Sequence, residues 1–148
     1  MQLNQQIIEI LMAEDSPTDA ELTQEAIKSS KLPSHLHVVT DGEEALAFLR
    51  REGAFATVPV PDLILLDVNM PRKNGLEALA AIKQHPDWKY IPVVMLTSSQ
   101  AERDIITAYE NHTNCYIVKP VDFDRFIDVV RAIENFWFSI VTLPLQKT

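Results

Sequence analysis

Five short apolar runs, separated by longer stretches with helical spacing, fix the class of fold open to this chain. The runs are Ile7–Met12, His35–Thr40, Leu63–Leu66, Val93–Leu96 and Tyr116–Val118. The third and fourth are unbroken aliphatic segments, as expected of strands covered on both faces by crossover helices, so both belong in the interior of a sheet. Strands that alternate with helix-length segments join in parallel as βαβ units. The expected architecture is α/β: a doubly wound, five-stranded parallel sheet with five helices distributed over both faces.

Helix starts are punctuated by capping residues. Ser16-Pro17-Thr18-Asp19 offers an N-cap serine, a proline at the first helical position and a carboxylate at the third. Asn74 with Glu77, and Ser99 with Glu102, repeat the capping logic, and Asp122 is placed to cap the last helix. There Phe126, Val130, Ile133 and Trp137 recur at helical spacing as a buried stripe. No repeat or linker interrupts the pattern, so residues 1–148 read as one domain, with a core over about 7–138 and an apolar tail over 139–148. Phe138, Ile140, Val141, Leu143 and Leu145 give that end more apolar surface than a solvated terminus needs. Either the tail folds back on its own domain or it pairs with a second copy, through Phe136, Trp137, Phe138 and Ile140.

Composition narrows the function. With 148 residues, a single core can bury about two-thirds of the chain's surface without staples. Thirteen basic against twenty-one acidic side chains give a formal charge of −8, which argues against a phosphate backbone as partner. The lone cysteine, Cys115, allows neither an internal disulfide nor a zinc cage and reads as a small buried hydrophobe. The four histidines show no ligand spacing, and Trp88 reads as packing. The first residues lack a basic stretch followed by an apolar one, and no run is long enough to span a membrane, so the expected location is the cytoplasm.

In an open parallel sheet, ligands bind beyond the carboxyl ends of the strands. At those ends stand Glu14 and Asp15, Asp67, Thr97 and Ser98, and Lys119-Pro120. Two carboxylates about 4 Å apart repel by about 4 kcal/mol at an effective dielectric of about 20, so three acids cannot gather uncompensated. Lys119 supplies one positive charge and leaves two uncompensated. A hard divalent cation with oxygen ligands, Mg²⁺, suits the remainder. Such a site has a phosphoryl group as its natural electrophile: Asp67 attacks phosphorus, Lys119 neutralises the oxygens, and Thr97 donates a hydrogen bond.

These residues also resemble a family. Glu14-Asp15 after the first strand, the segment from Leu63 through Asp67, Asn69, Met70-Pro71 and Asn74-Gly75, then Thr97-Ser98 and Lys119-Pro120, resemble the receiver domains of bacterial two-component response regulators, from about Ile7 to Arg131. The resemblance implies a flavodoxin-like strand order of 2-1-3-4-5. It implies that Asp67 is the phosphoacceptor in a phosphorelay from a histidine kinase. It further implies that Glu14, Asp15 and Asp67 hold Mg²⁺ with the backbone carbonyl of Asn69, and that Thr97 and Lys119 bind phosphoryl oxygens. Tyr116 falls where receivers carry a switch aromatic that moves with the threonine; its plainer reading is a half-buried strand tyrosine. The output surface would be the fourth helix, fifth strand and fifth helix. Asn69 and Ser99 take positions that tune phosphoryl lifetime in the family. The proline after Lys119 allows a cis peptide that aims the amine inward, and Gly75 is expected to permit the close turn leaving the site. The segment Glu134–Pro144 further resembles small receivers paired with phytochrome-type histidine kinases, which implies a homodimer.

Three other readings are weaker. A flavodoxin-like FMN carrier would place its phosphate against Glu14 and Asp15, which repel it. An aspartyl-phosphate phosphatase would want a second acid two residues after Asp67, where the chain has Asn69, so a turnover enzyme is not expected. A receiver-like interaction module that works without phosphorylation would not need the complete set of site residues. With no room for an output domain in the sequence, the signal is expected to pass through the domain's own surface.

Overall fold

The computed structural model describes residues 7–29, 32–97, 115–119, 121, 124–128 and 131. Its elements in chain order are β1 (Ile8–Ala13), α1 (Pro17–Ser29), β2 (Ser34–Val39), α2 (Gly42–Arg50), a 3₁₀ turn at Gly53–Phe55, β3 (Leu63–Asp67), α3 (Gly75–Gln84), β4 (Val93–Thr97) and β5 (Cys115–Val118). Residues 124–128 and 131 are helical. The expectations for Ser98, the Ser99–Glu102 cap, Pro120, Asp122, the tail, and Phe136, Trp137, Phe138 and Ile140 lie outside the described residues.

All four strand pairings are parallel, and the sheet runs β2-β1-β3-β4-β5. Side chains alternate between two cores, as strand geometry requires. Leu11, Ala13, Ile64, Leu66, Val93 and Met95 pack with Phe48 of α2 and with Ala78, Leu79 and Ile82 of α3. Ile10, Met12, Leu63, Leu65, Val94, Leu96 and Ile117 pack with Ala26 and Ile27 of α1 and with Phe126. Every residue of β3 and β4 is buried, which is why both read as unbroken aliphatic runs.

The strands differ from the apolar runs by about one residue. Ile7 is half exposed and lies before β1, whereas Ala13 extends it. At the other end of the sheet the polar residues Asp67 and Thr97 stay in register, opposite Leu96 and Val118, so ladder hydrogen bonding carries β3 and β4 one residue past their apolar runs. Asp67 and Thr97 therefore stand on strand ends, whereas Glu14, Asp15 and Lys119 directly follow theirs.

The helix caps are only partly as expected. Asn74 and Glu77 form a reciprocal box, each backbone N–H donating to the other's side chain at 2.9 Å. At α1, Ser16 Oγ accepts from the Asp19 N–H at 3.2 Å, but the return bond is missing: the Ser16 N–H donates to Glu14 Oε2 at 3.2 Å. The carboxylate of Asp19 is engaged elsewhere. The start of α2, for which the sequence reading offered no cap, is set by Asp41, whose Oδ1 accepts from the Glu44 N–H at 2.8 Å. Two histidines are also more than incidental, since His35 Nδ1 and His37 Nε2 lie 2.9 and 2.8 Å from the two carboxylate oxygens of Glu9 and tie β2 to β1.

Candidate functional site

The parallel sheet delivers β1, β3, β4 and β5 to one rim, and the acidic residues follow from where each strand stops. Glu14 is held directly after β1 by its N–H, which donates to Val39 O at 2.9 Å. Asp67 closes β3, and the next residue, Val68, donates to Leu96 O at 2.8 Å. Lys119 is placed by its own N–H, which donates to Thr97 O at 2.8 Å and so fixes the lysine backbone against the end of β4. Glu14, Asp67 and Thr97 are all buried.

Gly75 constrains Asp67 from the helix side. Its N–H donates to Val68 O at 3.0 Å, and a Cβ at this position would lie 2.1 Å from the carbonyl oxygen of Asp67. The expected turn role becomes close packing of backbone on backbone, since the only glycine with a positive φ among the described residues is Gly53.

The side chains converge as anticipated, with one addition. Oxygens of Glu14, Asp15 and Asp67 lie within 4.8 Å of one another, Asp15 on the exposed side of the group. Lys119 Nζ sits 2.9 Å from Glu14 Oε1, 3.3 Å from Asp67 Oδ2 and 2.8 Å from Asp19 Oδ2. Asp19, which the sequence offers as a capping residue, also contacts the lysine of the site. Four acids, rather than three, thus stand around or beside the one amine. The sequence signal was its position one helical turn beyond Asp15, on the first turn of α1.

Electrostatics follow from that crowding. Burial, then the hydrogen bond and charge of Glu14, push the Asp67 carboxyl up to about 7 against the opposing pull of Lys119. Burial alone would lower Lys119, but its bonds to Asp19 and Glu14 and the charges of Asp67 and Glu14 outweigh this and raise it. A proton on Asp67 is thus one way to relieve the site, and a hard cation bound by Glu14, Asp15 and Asp67 is the other; an all-oxygen donor set of this charge suits a divalent ion.

Thr97 stands at the end of β4 beside the lysine backbone. Tyr116 pairs with Met95 in the ladder and packs, partly buried, against the core on the α2 and α3 side. Asn69 is exposed, two residues past Asp67. One set of contacts at this end of the sheet was not anticipated: Arg72 donates to the buried Asp41, and the Gly42 N–H donates to Lys73 O at 2.9 Å, so the loop after Asp67 is tied to the start of α2.

Comparison with known proteins agrees with this geometry. Residues 10–131 match the model of the response regulator receiver domain. The chain is 48% identical over 135 residues to response regulator Rcp1 of Synechocystis sp., covering 91% of this chain and 92% of that protein. It resembles the crystal structure of the phosphorylated cyanobacterial phytochrome response regulator RcpA, with a TM-score of 0.77 and 46% identity, covering 94% of this chain and 99% of the other. The Mn²⁺-bound form of Rcp1 gives a TM-score of 0.74 at 47% identity, covering 93% and 99%. With its strand order, acidic rim and buried lysine in place, this chain belongs to the response regulator receiver domain family.

Proposed function

We propose that the chain is a phosphoacceptor response regulator that takes a phosphoryl group from a histidine kinase onto Asp67 and changes its own surface in response. The observation that carries this reading is the buried Asp67 carboxylate at the rim, 3.3 Å from the Lys119 ammonium and grouped with Glu14 and Asp15. In the reaction an Asp67 oxygen forms a bond to phosphorus as the P–N bond of phosphohistidine breaks. The imidazole nitrogen keeps the electron pair and takes a proton from solvent. Lys119 donates to a phosphoryl oxygen as charge builds there, and the Thr97 hydroxyl donates to another. Mg²⁺ held by Glu14, Asp15, Asp67 and the Asn69 carbonyl would supply the positive charge that keeps Asp67 ionised and offsets the phosphoryl oxygens.

The reaction is stoichiometric rather than enzymatic turnover. Asn69, where a second carboxyl group would serve hydrolysis, gives an attacking water no resident general base. Movement of Thr97 toward the phosphoryl group, followed by Tyr116, is the switch that alters the surface around β5. The relatives described as phytochrome response regulators make a phytochrome-type kinase the first donor to test. Homodimerisation through Phe136, Trp137, Phe138 and Ile140 completes the reading, and truncation after Phe136 should then shift the sedimentation mass toward monomer. Among the described residues no helix is long and apolar enough to cross a membrane, which fits the cytoplasmic setting of such a relay.

Incubation with acetyl phosphate and Mg²⁺, followed by intact-mass measurement, tests the central step. One phosphoryl group gained by the unaltered chain and none by Asp67→Asn is the expected result. Labelling of Asp67→Asn at an undiminished rate would refute it.

A further inference from the structure

An ammonium carries three N–H donors, and three carboxylates stand around Lys119. Asp19 Oδ2 at 2.8 Å and Glu14 Oε1 at 2.9 Å are closer than Asp67 Oδ2 at 3.3 Å. The shortest contact is thus to a residue outside the cluster of Glu14, Asp15 and Asp67. Both ends of it are fixed independently. The Asp19 N–H donates to Ser16 Oγ in the first turn of α1, and the Lys119 N–H donates to Thr97 O at the end of β4. The lysine side chain is 8% exposed, and its head is held between Asp19 and Glu14.

We infer that Asp19 is a positioning residue for Lys119: together with Glu14 it anchors the ammonium so that the remaining, loosest N–H faces Asp67 and is the one available to a phosphoryl oxygen. Without Asp19, the stem is free to let the ammonium close on Glu14 and Asp67, forming a tighter pair that occupies the nucleophile. The role deepens the phosphoacceptor reading and rests on it.

The experiment measures acetyl phosphate labelling at saturating Mg²⁺ for the unaltered chain, Asp19→Ala, Asp19→Asn, Lys119→Ala and the Asp19→Ala/Lys119→Ala double variant. Asp19→Ala should slow labelling by about tenfold, the scale of a modest misplacement of a group that acts at the reacting atoms. Asp19→Asn keeps an acceptor oxygen and should recover most of the rate. In the Lys119→Ala background, loss of Asp19 should slow labelling no further, a result that a general disturbance of the fold would not give. An unchanged rate in Asp19→Ala, equal slowing in the Asn and Ala variants, or a full tenfold loss in the Lys119→Ala background would each overturn the inference. Failure of the unaltered chain to label would instead remove the phosphoacceptor reading beneath it.

Discussion

Arg72 Nε donates to Asp41 Oδ2 at 2.8 Å, joining the loop that follows β3 to the first turn of α2. The other carboxylate oxygen of Asp41 caps that helix through the Glu44 N–H at 2.8 Å, and the side chain is 3% exposed. One buried carboxylate therefore terminates a helix and fastens a loop. Arg72 itself adopts a left-handed backbone, with φ of 62°, which the contact helps to hold.

Asp41→Ala should cost about 2–3 kcal/mol of unfolding free energy, combining a lost N-cap of about 1 kcal/mol with a lost charge-assisted bond. Asp41→Asn keeps the acceptor for Glu44 and should recover roughly half of that. Urea denaturation of the two variants measures the difference. Equal midpoints for Asn and Ala would show that the cap contributes nothing.

At Gly75 a methyl group would collide with the carbonyl oxygen of Asp67, whereas at Gly53, with φ of +57°, a Cβ meets nothing within 4 Å. Gly75→Ala should destabilise by about 1–3 kcal/mol, as overpacking does, and should also slow labelling, because relief of the clash displaces Asp67. Gly53→Ala should cost about 1 kcal/mol through backbone strain alone and leave labelling unchanged. Parallel denaturation and labelling of the two variants separate these cases. Normal labelling of Gly75→Ala would show that the contact does not position Asp67.

How far the sequence could be read depended on the range of the interactions. β3 and β4 were visible because burial on both faces forces unbroken aliphatic runs, and the Asn74–Glu77 box was visible because both partners lie within one turn. Asp67 and Thr97 extend β3 and β4 one residue past the apolar runs, since hydrogen bonding to neighbouring strands, and not apolar character, keeps them in register. Asp19 had a complete local explanation as a capping residue, and its real partner lies 100 residues away. The Asp41–Arg72 contact spans 31 residues and leaves no periodic trace.

Lys119→Ala leaves Glu14, Asp19 and Asp67 without the cation that now contacts all three. Labelling by acetyl phosphate should fall by roughly 10²-fold, the usual scale for losing one donor to the developing charge. Asp67, relieved of the lysine's lowering influence, should titrate higher still. Comparing labelling rates across pH should therefore show the variant's profile displaced to higher pH. A profile in the same place would mean that the ammonium does not act on Asp67.

The raised titration of Asp67 also predicts how stability without metal varies with pH. Its ordinary value of 3.8 rises to about 7 in the fold, so between those limits the native state holds a proton that the unfolded chain has released. Stability must then fall as pH rises through that window, because the native state is the one binding more protons. At one pKa unit per 1.36 kcal/mol, the ionised carboxylate costs the metal-free fold at most about 4 kcal/mol above pH 7. Asp67→Asn removes this cost, so its advantage over the unaltered chain in EDTA should be small near pH 4 and grow until about pH 8. Groups that titrate alike in both proteins cancel in the difference. Excess Mg²⁺ should narrow the gap at pH 8 by stabilising the unaltered chain through its intact acidic cluster. Urea denaturation of both proteins from pH 4 to 8 reads the trend, and a stability difference that stays constant across that range would mean that Asp67 is ionised in the fold throughout.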